Sequence, residues 1–169
     1  MIAYGKYSPI CLRSYIPLEA HQWRNDRRIW NWCRQYTLIS AKEQSDWMNR
    51  IHTDDSIKMF SVCINDKCIG VAGFASIDRH NRNAEFSLYI EPKSQGKGLG
   101  LNALGTLLHH GFYDWGFERI WGETYDGNPA IRMFKKLGMK TEGKLRHSYF
   151  RNGKFIDSYI VSVLREEWL

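Results

Sequence analysis

No apolar run in these 169 residues reaches the roughly 18 that a membrane-crossing helix needs. The opening "MIAYGKYSPICLRSY" lacks a basic start followed by a long apolar segment, so it is not read as a signal peptide. Both absences make the cytoplasm the expected location and exclude a membrane partner. Internal repeats, low-complexity tracts and Pro- or Ser-rich linkers are also missing, which leaves one domain over residues 1–169. The four cysteines, Cys11, Cys33, Cys63 and Cys68, are scattered. Only Cys63 and Cys68 lie close together, with no second pair and no His at ligand spacing. No metal site is therefore expected, and the thiols read as free and buried.

What is present supports a sizeable core: 43% of residues are hydrophobic. Seven tryptophans occur, most of them expected in that core, although Trp23, Trp30, Trp32 and Trp47 form an early cluster able to line a pocket. The net charge of +6 favours anionic partners such as phosphates, nucleotides or nucleic acid.

Periodicity gives the elements. Residues 10–15 read as a first strand, and residues 17–33 as helix broken near Asn25. "SAKE" (40–43) is a capping box that opens a helix with Trp47 and Ile51 on one face. Residues 59–66 and 68–78 alternate as a hairpin turning at "NDK". In 83–92, Phe86, Leu88 and Ile90 face one side and Glu85, Ser87 and Tyr89 the other. A helix carrying Leu101, Leu104 and Leu108 ends at Gly116, and a strand covers 119–125. Asn128 should cap a helix over 128–138 that begins with Pro129. Residues 141–164 form a hairpin turning at "NG". The order predicts an α/β fold with a mixed sheet.

Between the strand at 83–92 and the following helix lies "SQGKGLG", with glycines at 96, 98 and 100. A strand–turn–helix unit offers free backbone N–H groups and the positive end of a helix dipole, which suits an anion. Glycines let a phosphate come close. No G-x-x-x-x-G-K-[ST] string exists, and G-x-G-x-x-G fails at Leu101.

"LYIEPKSQGKGLG" (88–100) resembles the acyl-CoA-binding signature of the GNAT N-acetyltransferases, in which Gln or Arg precedes x-x-G-x-G/A. "NPAIRMFKKLGM" (128–139) follows at the family's distance, and the element order is similar over about 10–164. The resemblance implies a mostly antiparallel mixed sheet flanked by helices, with a splayed strand pair, and acetyl-CoA as cofactor. It implies that Gln95, Gly96, Lys97, Gly98, Leu99 and Gly100 hold the pyrophosphate, and that Leu88, Ile90 and Asn128 hold the pantetheine arm. The Ile90 N–H would polarise the thioester carbonyl. Members of the family often dimerise, so a homodimer is a possible assembly.

Acetyl transfer needs a neutral amine, a polarised carbonyl and a proton for the leaving thiolate. Glu123 and Glu85 are the two candidate bases. "WGETYDGN" resembles the W-x-E strand of Rim-type acetyltransferases. The family's usual tyrosine acid is replaced by Phe134, which donates no proton, and the Asn128–Ala130 stretch is one residue short of the family's spacing. Tyr125, Tyr89 and His147 are candidate substitutes; otherwise the thiolate leaves unassisted.

"HQWRNDRRIWNWCRQ" (21–35) interleaves arginines with tryptophans, which suits a phosphate and a ring. With the final hairpin it would shape the acceptor site, making Trp23, Arg24, Arg27 and Tyr149 candidate acceptor residues. The "WRN" string resembles acetyltransferases of nucleotide-linked amino sugars, as in the pseudaminic acid pathway. The C-terminal 142–168 resembles the Rim J/L-type subgroup, whose acceptors are protein N-termini and small amines. Two readings of other kinds are an acyl-CoA sensor without turnover and a basic nucleic-acid-binding module. The second lacks any recognisable nucleic-acid motif, so no nucleic-acid partner is expected.

Overall fold

Alternating side chains build one sheet. The computed structural model describes residues 1–14 and 16–168. Its strands are β1 (Ile10–Arg13), β2 (Lys58–Ile64), β3 (Lys67–Asp78), β4 (Asn83–Ile90), β5 (Arg119–Tyr125), β6 (Lys140–Arg151) and β7 (Lys154–Leu164). They lie in the order β1-β2-β3-β4-β5-β7-β6, antiparallel throughout except for β4 beside β5. The first strand stops at Arg13, two residues earlier than expected; Ser14 bends away, and Tyr15 lies outside the described residues. β6 and β7 turn at Asn152 and Gly153, whose φ angles of 51° and 78° match the turn that Asn-Gly favours.

The helices are α1 (Ala20–Asn25), α2 (Arg27–Trp30), α3 (Ala41–Ile51), α4 (Leu99–His109), α5 (Ile131–Lys136) and α6 (Arg165–Trp168). The break near Asn25 has a clear cause. Asp26 leaves the helical conformation, and its carboxylate accepts from the Arg28 N–H at 2.9 Å. The capping box opens α3: Ser40 Oγ accepts from Glu43 N–H, and Glu43 Oε2 accepts from Ser40 N–H. α4 runs into a π-type turn, His110–Asp114, before Gly116.

α5 begins later than expected. Asn128 Oδ1 accepts from the Ala130 N–H at 3.0 Å, and the Ile131 N–H bonds to Asn128 O. This tight turn absorbs Pro129 and Ala130, so the helix starts at Ile131. It closes at Gly138, with Met139 N–H bonding back to Phe134 O.

Two apolar clusters sandwich the sheet. On one face Phe74, Phe86 and Ile120 pack against Leu104, Leu107 and Leu108 of α4. On the other, Ile16, Ala20 and Val71 collect Trp23, Trp47, Ile51 and Tyr89. The tryptophans depart from expectation: six are half-buried and Trp32 is exposed. The large indole covers a cluster's edge more readily than it fits inside. Cys11 and Cys63 are buried, Cys33 and Cys68 only half-buried, and all four are free. Among the described residues, no helix is long and apolar enough to cross a membrane, and no group of three or more His, Cys, Asp or Glu side chains could hold a metal.

The site depends on the one parallel contact. β4 and β5 pair only where Asn83, Ala84 and Glu85 meet Arg119, Ile120 and Trp121. Beyond Glu85 the strands part, giving the splay. The Phe86 ring fills the fork. A Cβ at Gly122 would lie 2.4 Å from a carbon of that ring, so only glycine fits beside it. Phe86 in turn meets the Phe134 ring edge-on, centroids 5.2 Å apart.

Candidate active site

A cavity of about 370 Å³ opens where β4 and β5 diverge. One wall is the edge of β4. The Glu91 N–H donates to Ile69 O in β3. Alternation along an antiparallel strand then turns the backbone groups of Ile90 and Leu88 to the opposite edge, the one that β5 has left. The Ile90 carbonyl accepts from Gln95 Nε2 at 2.9 Å, while its N–H faces the gap.

The glycine loop continues that wall. Gln95 and Gly100 line the cavity, with Gly96, Lys97, Gly98 and Leu99 between them. Gly96 and Gly98 have φ of +75° and +76°, the left-handed region. A Cβ on either would meet nothing within 4 Å, so no protein atom demands these glycines by close packing. Gly98 is the N-cap of α4 and supplies no side-chain bond to its first N–H groups. The loop therefore presents open backbone and a helix N-terminus on the same side.

Two carboxylates sit across the fork. Glu85 is 5% exposed, and burial pushes its carboxyl up, against the pull of Arg34 and with the push of Glu123. Arg34 Nη2 donates to Glu85 Oε1, and its Nη1 lies 3.7 Å from Glu123 Oε2. Glu123 also accepts from Tyr149 Oη at 2.9 Å and from Ser158 Oγ at 2.5 Å. Burial and Glu123 raise the Tyr149 phenol to about 12.

The expected residues divide as follows. Glu85, Glu123, Leu88, Ile90, Gln95, Gly100, Asn128 and Arg24 line the cavity. Tyr149 reaches it through Glu123. Trp23 instead packs on the second cluster, and Arg27 is exposed; neither lines the cavity. α1 and α2 are too short for their phase to be read from sequence. Phe134 is a buried wall residue. Among its suggested substitutes, Tyr89 and Tyr125 line the cavity, whereas His147 sits on the exposed hairpin beside Lys144 and Asp157. The Tyr125 hydroxyl donates to Cys33 O at 3.1 Å and accepts from Arg151 at 3.2 Å. Of the early tryptophan cluster, Trp32 lines the cavity and Trp23, Trp30 and Trp47 do not. Arg28 and Arg34, part of the basic 21–35 stretch but not among the expected site residues, line it too, as does Thr124, which carries no sequence signal.

Residues 10–140 match the family model described as the acetyltransferase (GNAT) domain. The chain belongs to this family. It is an acetyl-CoA-dependent N-acetyltransferase. Spermidine N(1)-acetyltransferase of Escherichia coli K12 is 27% identical over 150 residues, covering 88% of this chain and 81% of that protein. The ribosomal-protein-serine acetyltransferase of the same strain is 29% identical over 108 residues, covering 63% and 60%. The crystal structure of Vibrio cholerae spermidine N-acetyltransferase with CoA and spermine has a TM-score of 0.89 at 25% identity, covering 95% of this chain and 98% of that one. None of the three is named for an amino-sugar substrate. The acetyltransferase fold expected from the glycine signature is thus present, and the residues suit its cofactor. Among the described residues, the fork leaves the edge of β4 beyond Glu85 without a paired strand, and the loop leaves space over two left-handed glycines.

Proposed function

We propose that residues 1–169 form one domain that acetylates a primary amine entering on the Glu85, Ser87 and Tyr89 side of the sheet. The fork between β4 and β5, ending at the glycine loop, is the observation that carries this reading. Acetyl-CoA supplies the acetyl group as a thioester. The N–H groups of residues 96–100 face its pyrophosphate, that of Gln95 being bonded to Pro92 O, and Leu88, Ile90 and Asn128 flank the pantetheine arm. The Ile90 N–H polarises the carbonyl. The amine nitrogen bonds to the acetyl carbon, the C–S bond breaks, and the amine proton passes to a carboxylate, Glu85 or Glu123. Tyr125 and Tyr89 are the hydroxyls available to the leaving thiolate.

The acceptor carries a negative group. Arg28 is tied to Asp26 by two side-chain bonds, and Arg34 to Glu85. Arg24 lines the same cavity, and its buried Nε has no hydrogen-bond partner. The Tyr89 ring, 5.9 Å away, is its neighbour. A guanidinium whose Nε has no partner among the described residues suits a phosphate, as in a nucleotide-linked amino sugar. A second reading, a spermidine-like polyamine, draws on the relatives and on the two carboxylates, which suit ammonium groups.

The test is thiol release from acetyl-CoA with glucosamine 6-phosphate, a UDP-linked amino sugar, spermidine and a short peptide as acceptors. Preference for the anionic amines, lost in Arg24→Gln, is expected. Preference for spermidine overturns the anionic acceptor. Acetyl-CoA binding without turnover on any amine would mark an acyl-CoA sensor.

A further inference from the structure

Glu85 and Glu123 are not equivalent, and Arg34 is the reason. Arg34 lies in the 31–40 segment between α2 and α3, which is neither helix nor strand. The segment is nonetheless pinned on both sides of Arg34. The Arg151 guanidinium donates to the carbonyls of Cys33 and Gln35, and Asn25 exchanges two hydrogen bonds with the Ile39 backbone at 2.8 and 2.9 Å. The guanidinium therefore reaches the fork from a fixed base.

Its two ends meet unequal partners. Glu123 accepts hydrogen bonds from Tyr149 and Ser158, and Arg34 stands off from it at ion-pair distance, 3.7 Å. Among the described residues, the Glu85 carboxylate has one hydrogen-bond donor, Arg34. The two carboxylate side chains are 7% and 10% exposed, while that of Arg34 is 51% exposed. Two buried carboxylates on neighbouring strands disfavour each other's ionisation, and one cation between them offsets that. Among the described residues, the other charged or titratable groups around the pair are Tyr149 beside Glu123, Tyr125 and Arg151 beyond it, and Cys33, Arg24, Arg28 and Tyr89 in the same cavity lining. None of these has a hydrogen bond to Glu85.

We infer that Arg34 is a positioning residue that holds Glu85 ionised beside Glu123, leaving Glu85 as the carboxylate that takes the proton from the acceptor amine. This rests on the amine-acetylation reading above. It separates two roles that the sequence left open. Glu123 is locked into the hairpin by hydroxyl donors, whereas Glu85 exchanges protons. The proton taken by Glu85 returns to solvent, and the leaving thiolate is protonated independently.

The direction of the expected effect follows from the charges. Removing Arg34 removes the influence that favours the Glu85 carboxylate. Its midpoint then rises, and activity falls on the acid side while recovering at higher pH. The experiment is the pH profile of kcat/KM for wild type, Arg34→Gln and Arg34→Lys, with the preferred amine from the acceptor panel. Arg34→Gln should move the acid limb up by about one unit, a loss of about tenfold on that limb, with convergence at alkaline pH. Arg34→Lys should recover most of the shift. Adding Glu123→Gln to Arg34→Gln should bring the limb back down, because it removes the like charge. Equal loss at every pH, or an unmoved limb in folded Arg34→Gln protein, overturns the inference. So does an Arg34→Lys profile that matches Arg34→Gln. If wild type acetylates none of the amines, the acceptor reading fails separately. NMR titration of the side-chain carboxyl carbons without substrate then decides the inference. A Glu85 midpoint that rises in Arg34→Gln supports it, and an unchanged midpoint overturns it.

Discussion

Replacing Gly122 with alanine probes the fork directly. The added methyl would lie 2.4, 2.7 and 2.9 Å from three carbons of the Phe86 ring. Carbon atoms in good contact stay about 3.5–4.0 Å apart, so the ring or the strand must move by roughly an ångström. Phe86 has little room to yield. It is 9% exposed and backed by the Phe134 ring at 5.2 Å. Gly122 does not have a left-handed φ, so packing and not backbone strain sets the cost. Overpacking of this kind costs about 1–3 kcal/mol, which at about 2–4 °C per kcal/mol for this length lowers Tm by roughly 2–12 °C. Because Phe86 forms the floor where the strands part, affinity for acetyl-CoA should fall as well. Thermal melting and calorimetric titration measure the two effects. Phe86→Leu in the Gly122→Ala background should restore part of the lost Tm, since the smaller chain can give way. A Gly122→Ala protein that melts within about 1 °C of wild type and binds acetyl-CoA equally well would refute the wedge.

Phe134→Tyr places a phenol where the family usually has one. It should raise kcat and add an alkaline limb near the ordinary phenol value of about 10, read from the pH profile. Tyr149→Phe removes the hydroxyl that donates to Glu123 and should cost about 1 kcal/mol in denaturant melts. In wild type, phenolate absorbance should show a tyrosine titrating at about 12 that is missing from this variant. Arg119 and Ser162 hold the Glu142 carboxyl below its ordinary 4.5. That stabilisation is present above 4.5 and is lost as pH falls through the lowered value. Glu142→Gln should therefore lower Tm at neutral pH, with the gap closing in acid.

Much of the fold was legible because its signals are local. Period-two alternation marked β2, β3 and β4, and Asn152–Gly153 marked the last hairpin. Ser40 and Glu43 marked the start of α3. The delayed start of α5 was not legible, since an Asn before a Pro fits either a helix cap or the tight turn that forms here. The acceptor side was the least readable. Trp23 and Arg24 are neighbours in a six-residue helix, and only the packing of Trp23 on the Ile16, Ala20 and Val71 cluster shows which one faces the cavity. Arg34 carries no periodic signal at all. Its place depends on Arg151, more than a hundred residues away in sequence, bonding to the carbonyls on either side.

The central claim is that two left-handed glycines and an uncapped helix start cradle the pyrophosphate of acetyl-CoA. Calorimetric titration of wild type and Gly98→Val with acetyl-CoA, using ATP and NAD as controls, tests it most directly. Gly98 has φ +76°, which valine adopts only at a cost, and no protein atom lies within 4 Å of its Cβ position. Wild type should bind acetyl-CoA and give no heat with the controls, and the variant should fold but lose binding. A folded Gly98→Val protein that binds acetyl-CoA like wild type, or a folded wild type that gives no heat, would contradict it.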